Sequence, residues 1–107
     1  MNRTITSVEL QKLLAQRQGL VVFDVRRKAD YDADARKIAG AMWLDPEKVA
    51  QWSTALPHDK QVVVYCVRGG LVSGSVVDHL QSKGIKSRFI EGGFEAWKAA
   101  GGETVTK

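Results

Sequence analysis

Gln61-Val62-Val63-Val64-Tyr65-Cys66-Val67-Arg68-Gly69-Gly70-Leu71-Val72 is the stretch on which the fold turns. Its first half is a continuous run of β-branched and aromatic residues, the pattern of a strand buried on both faces, as in a parallel sheet. Two adjacent glycines follow, and they permit positive φ and close backbone approach. Beyond them Val72, Val76 and Leu80 recur at four-residue spacing, which predicts a helix ending near Gly84. Strand, glycine loop and helix together put Cys66 at the carboxyl end of a strand. Ligands gather at such ends in open parallel sheets, because loops and helix N-termini converge there.

Working outward, Leu20-Val21-Val22-Phe23-Asp24-Val25 reads as a second buried strand. Before it, Thr6-Ser7-Val8-Glu9 has capping-box spacing and Leu10, Leu13 and Leu14 follow at helical intervals, predicting a helix over 7–17 that stops at Gly19. After it comes a short helical or irregular stretch through Tyr31, and residues 38–44 read as a turn feeding a brief strand. Asp45-Pro46-Glu47 supplies an N-cap and a first-turn proline for a helix over Val49 and Trp52. On the other side, 86–90 reads as a last strand. Glu91-Gly92-Gly93 then turns into a short helix carrying Phe94 and Trp97, Gly101-Gly102 ends it, and 102–107 is left as a tail. Alternating strands and helices with short connections predict an α/β domain, its sheet largely parallel and its crossovers right-handed.

The 107 residues, 44% hydrophobic and 26% charged, suffice for one core and not two. Sixteen Lys and Arg against twelve Asp and Glu leave +4, a field that favours small anions. The basic residues are dispersed, with Arg26-Arg27-Lys28 the densest run, so they read as a solvated surface and not as a nucleic-acid footprint. No apolar stretch approaches the roughly 20 residues of a membrane span, and Met1-Asn2-Arg3-Thr4 leads into an amphipathic segment, so a soluble cytoplasmic protein without membrane or nucleic-acid partners is expected. Cys66 is the sole cysteine, which excludes an intrachain disulfide or a multi-cysteine metal cluster. No metal or cofactor is expected. The Walker-type phosphate loop and the dinucleotide glycine fingerprint are both missing.

A lone cysteine is ordinarily a small buried hydrophobe. Here the helix dipole and loop N–H groups favour an anion beside the sulfur, which suits a nucleophile whose covalent adduct remains anionic. A persulfide fits that description. A thiophosphate intermediate fits too, but it needs an arginine six positions after the cysteine to fork onto three oxygens, and that position is Val72. Elsewhere, Asp24 and Arg26 read as a buried ion pair or loop-fixing bonds. Ser73 and Ser75 read as first-turn helix residues, not nucleophiles. Neither His58 nor His79 pairs with Cys66. Trp43 is the tryptophan best placed to wall a pocket, although core packing is expected for it as for Trp52 and Trp97.

Phe23-Asp24-Val25-Arg26, Ile38-Ala39-Gly40-Ala41, Tyr65-Cys66-Val67-Arg68-Gly69-Gly70 and Glu91-Gly92-Gly93-Phe94-Glu95-Ala96-Trp97, in this order and spacing, resemble the rhodanese-like sulfurtransferase domain in its single-domain form, over residues 6–101. The resemblance implies a five-stranded, mainly parallel β-sheet flanked by helices on both faces. It also implies a Cys66 thiolate that takes the outer sulfur of thiosulfate, releases sulfite, and passes the sulfur to cyanide, a thiol or a protein acceptor. Val67, Arg68, Gly69, Gly70, Leu71 and Val72 would then hold the donor and the persulfide. Two departures stand out: Lys37 precedes the isoleucine where many relatives have histidine, and Leu71 and Val72 make the rim more apolar than usual. Arg68 either faces the anionic donor or points to solvent. The rival reading is a non-catalytic sulfur carrier or anion-binding module acting with a partner protein.

Overall fold

The computed structural model describes residues 3–16 and 19–107, so the expected helix end at Arg17 lies outside the described residues. In chain order the elements are β1 (Thr4–Ile5), α1 (Ser7–Gln16), β2 (Leu20–Asp24), α2 (Lys28–Ala33), β3 (Arg36–Ile38), β4 (Met42–Trp43), α3 (Val49–Trp52), β5 (Gln61–Tyr65), α4 (Leu71–Ser82), β6 (Ser87–Ile90), α5 (Gly93–Ala99) and β7 (Thr104–Thr106). One sheet has five strands in the order β1-β6-β5-β2-β4, every neighbouring pair parallel. The α/β reading is correct, with the two apolar runs at the centre of the sheet.

The period-2 geometry of β5 explains why it is apolar throughout. Val63 and Tyr65 belong to one core cluster, with Ile5, Leu10, Ile90, Phe94 and Trp97. Val62 and Val64 belong to the other, with Val76, Val77, Leu80, Ile85 and Phe89. Helices therefore cover both faces, and a polar residue at any of these positions would meet a helix instead of water. Among the described residues no helix is long and apolar enough to cross a membrane.

The capping box forms as its spacing requires: the Glu9 amide donates to Thr6 Oγ1 at 3.1 Å and the Thr6 amide to Glu9 Oε1 at 3.1 Å. Asp45 caps as expected, accepting the Glu47 amide at 3.0 Å. The helix it opens is broken, however, with α3 lying between 3₁₀ turns at Pro46–Lys48 and Ser53–Ala55. A larger correction concerns the ends of the chain. The segment read as a tail contains β7, which pairs antiparallel with β3 in a second, two-stranded sheet. The first sheet also gains β1, two residues ahead of α1 that carry no strand pattern.

Asp24 and Arg26 form the buried ion pair. Arg26 Nη2 lies 2.6 Å from Asp24 Oδ2, with the two side chains 1% and 0% exposed. The same guanidinium reaches Asp34 Oδ2 at 3.1 Å and the Arg36 carbonyl at 3.1 Å, and stands 4.8 Å from the Phe94 ring centroid. Burial works against its charge, but the hydrogen bonds and charge of Asp24 outweigh burial and hold the Arg26 cation more firmly than usual. Arg26 thus ties the end of β2 to α2, β3 and α5, beneath the end of the sheet that carries Cys66.

Candidate active site

Cys66 follows β5 directly, is 7% exposed, and lines a depression of the surface. Its carbonyl accepts the Phe94 amide at 2.9 Å, and the Val67 carbonyl accepts the Glu95 amide at 3.1 Å, so the first turn of α5 anchors the start of the loop. The glycines around this contact are needed for more than a tight turn. A Cβ on Gly93 (φ 63°) would sit 2.5 Å from the Cys66 carbonyl oxygen, and one on Gly69 (φ 70°) would sit 2.7 Å from that of Ile90. Loop and turn pack backbone to backbone at Gly69 and Gly93, whereas Gly92 (φ 74°) is glycine because its own Cβ would fall 2.6 Å from that of Ala96.

The loop then turns through Gly70, where φ is 124°, and enters α4 at Leu71. The first N–H groups of a helix have no intrahelical acceptor, so the start of α4, directly after the loop, offers amide donors that the helix itself does not use. Ser73 lies in that first turn. Its side chain tilts back toward the helix N-terminus, and its hydroxyl donates to Cys66 Sγ at 2.7 Å with no exposure to solvent. Sequence reasoning set Ser73 aside because no base accompanies it. The signal it carried was its seven-residue separation from Cys66 combined with a helix start at Leu71.

Cys66 opens into a depression of about 450 Å³ walled by Val67, Arg68, Gly69, Leu71 and Val72. Arg27 and Asp30 complete the wall from the neighbouring β2–α2 connection. Arg68 therefore borders the cavity while remaining exposed, and Arg27, read from sequence as part of a solvated basic run, is a second cation on the rim. Trp43 is not part of this wall: its indole N–H donates to the Arg26 carbonyl at 2.8 Å and its ring stacks on Tyr31 at 5.1 Å. His79 meets Ser53 Oγ at 3.5 Å, and His58 is exposed. Lys37 donates to the Ala41 carbonyl at 2.6 Å and so serves the β3–β4 turn. Tyr65, the residue before the cysteine, is pushed above the ordinary phenol range by burial and then by the Asp24 charge, and its oxygen accepts the Ile38 amide at 3.2 Å. It remains a neutral strut.

Among the described residues no group of three or more His, Cys, Asp or Glu side chains is placed to hold a metal ion. The geometry instead defines a class: an open parallel α/β domain with one cysteine at a strand end, a glycine loop after it, and two arginines in the wall of the depression that the cysteine lines. The rhodanese-like domain model matches residues 6–100, and the chain belongs to that family. It is 36% identical over 100 residues to the thiosulfate sulfurtransferase GlpE of Coxiella burnetii, covering 92% of this chain and 90% of that one. A rhodanese-related protein from Thermoplasma volcanium superposes with a TM-score of 0.84 at 24% identity, covering 98% of this chain and 99% of that one. A Rhodopseudomonas palustris protein described as a possible tyrosine phosphatase superposes at 0.82 with 29% identity, over 95% of this chain and 83% of that one. The similarity to curated thiosulfate sulfurtransferases supports a sulfurtransferase activity.

Proposed function

We propose that the chain is a thiosulfate sulfurtransferase that carries sulfur as a persulfide on Cys66. The observation that carries this reading is a single cysteine at the end of β5 that accepts a hydroxyl hydrogen bond from Ser73 and opens beside Arg27 and Arg68. The Cys66 thiolate attacks the outer sulfur of thiosulfate. The new S–S bond forms as the old one breaks, and sulfite leaves with the electron pair. A nucleophilic acceptor, cyanide in an assay or a thiol, then takes the outer sulfur, and the electrons of the broken S–S bond return to Cys66. Arg27 and Arg68 offset the charge of the dianionic donor, while Ser73 and the donors at the start of α4 stabilise anionic sulfur before and after transfer.

Phosphatase chemistry, raised by the Rhodopseudomonas palustris relative, is the weaker reading. Val72 stands where an arginine would have to bind the transferred phosphoryl group, and it presents a methyl wall. The deciding experiment is intact-protein mass spectrometry after brief exposure to thiosulfate, followed by cyanide. One added sulfur, removed by cyanide with matching thiocyanate release, is the expected result. Cys66→Ser should take up no sulfur while melting close to the parent. Uptake by that variant, or none by the parent, overturns the assignment. A loaded protein that is slow to release sulfur to any small acceptor would return the sulfur-carrier alternative.

A further inference from the structure

The depression that holds Cys66 does not end at the loop. A second one, of about 500 Å³, shares Arg27, Leu71 and Val72 with it and continues over Pro46, Val49 and Val76, with Glu47 and Ser75 at its edge. At the junction stands Leu71, 88% exposed and outside both core clusters. An apolar side chain so placed contributes nothing to folding, and its neighbours are the half-buried Val72 and Val49. The far wall is rigid. Asp45 fixes the Pro46–Lys48 turn by accepting the Glu47 amide, and the Trp52 indole N–H holds the Asp45 carbonyl at 2.7 Å. The result is a preformed trough with an apolar strip of Leu71, Val72, Val49, Pro46 and Val76 between charged and polar side chains, and it reaches the sulfur at one end. Its charges differ between the two parts: Arg68 and Asp30 border only the sulfur end, Arg27 borders both parts, and Glu47 borders only the outer one.

We propose that this trough is the acceptor subsite, built for a thiol with an extended apolar stem and a cationic head. The inference rests on the persulfide reading above. The acceptor thiolate sits beside Arg27 at the outer sulfur of the Cys66 persulfide, its stem lies along Leu71, Val72 and Val49, and its head meets Glu47. In the transfer, the acceptor sulfur bonds to the outer sulfur and the Cys66 S–S bond breaks. Its electron pair remains on Cys66 Sγ, and the negative charge of the persulfide's outer sulfur travels with it onto the new acceptor persulfide. An acidic head meets Glu47 as a like charge.

The test uses protein first loaded with sulfur from thiosulfate and verified by mass, then mixed in single turnover with cysteamine, aminobutanethiol and aminohexanethiol. Mercaptohexanoate provides the acidic comparison. Burying a methylene supports a gain of at most about fourfold, so the second-order rate should rise about two- to fourfold per added methylene until the trough is filled. The amine head should exceed the carboxylate head about threefold, the size expected of an exposed ion pair. Leu71→Asn, at a position with no core contacts to lose, should flatten the length dependence. Glu47→Gln should erase the head-group preference and keep the length dependence. Failure to load sulfur overturns both the persulfide reading and this one. Loading followed by transfer that ignores stem length and head charge overturns the trough alone.

Discussion

The Ser73 hydroxyl, itself without solvent exposure, donates to the Cys66 sulfur at 2.7 Å, and it is the one side-chain hydroxyl found bonded to that sulfur among the described residues. Hydrogen bonds to charged groups contribute about 1.5–3 kcal/mol, so Ser73→Ala should lower the rate of both half-reactions about tenfold or more. The thiosulfate KM should move less than about twofold, because the rim guanidiniums that meet the donor are untouched. Ser73→Thr, which keeps the hydroxyl, should recover part of the rate. Equal loss in both variants would make Ser73 a packing residue. Cys66 was legible from sequence because the apolar run and the paired glycines fix its place at a strand end. Ser73 and Arg27 were not, because each looks ordinary in its own segment. One is a polar residue in a helix, the other a basic residue in a charged run. Only the direction of a first-turn side chain brings Ser73 to the sulfur, and only the turn after β2 brings Arg27 into the wall of the same depression.

Between elements, the decisive contact is backbone against backbone where the loop after β5 meets the start of α5. Gly93→Ala would combine a strained left-handed residue, costing about 1–3 kcal/mol, with a Cβ driven onto the Cys66 carbonyl. Its melting temperature should fall by on the order of 10 °C and sulfur loading should fall with it. Gly40→Ala is the control, since Gly40 shares the positive φ (82°) but has nothing within 4 Å of its added Cβ. If the two variants melt alike, backbone strain alone explains Gly93. At the other end of the chain, the Thr6 amide and then its hydroxyl hold the Glu9 carboxyl below its usual range. A lowered folded-state pKa means that this contribution is complete above the unfolded value of about 4.3 and disappears as pH falls through the folded value. Urea melts should therefore find Glu9→Gln less stable than the parent at neutral pH and equal to it once both are titrated in strong acid. A constant gap would remove the carboxylate from the account.

At the scale of the whole molecule, the central sheet was readable because long apolar strands and their helices announce themselves by periodicity. The strands that close the molecule were not. β1 has two residues, and β3 and β7 have three each, too few to show a pattern; Arg36-Lys37-Ile38 is largely polar as well. Their pairing is set by what they cover. Gly102 lies against the Trp97 indole, so close that a Cβ there would fall 2.1 Å from a ring atom. The Glu103 carbonyl accepts the Trp97 indole N–H at 3.0 Å and the Ala39 amide at 3.2 Å. The Lys107 amide donates to the Ala35 carbonyl at 2.9 Å. Deleting residues 103–107 would thus uncover Trp97 and Ile38, now 2% and 0% exposed, and leave two donors near the core without acceptors. Each lost hydrogen bond, its donor now open to water, costs about 0.5–1.5 kcal/mol and each uncovered side chain part of another 1.5–3. Against a total stability of about 5–15 kcal/mol, the loss should be large. The melting temperature should drop by at least about 10 °C. Since α5 carries both Trp97 and the amides that hold the Cys66 loop, persulfide formation should fail at a lower temperature in the truncated chain than in the parent. A truncated chain that melts within a few degrees of the parent would return this segment to the status of a tail.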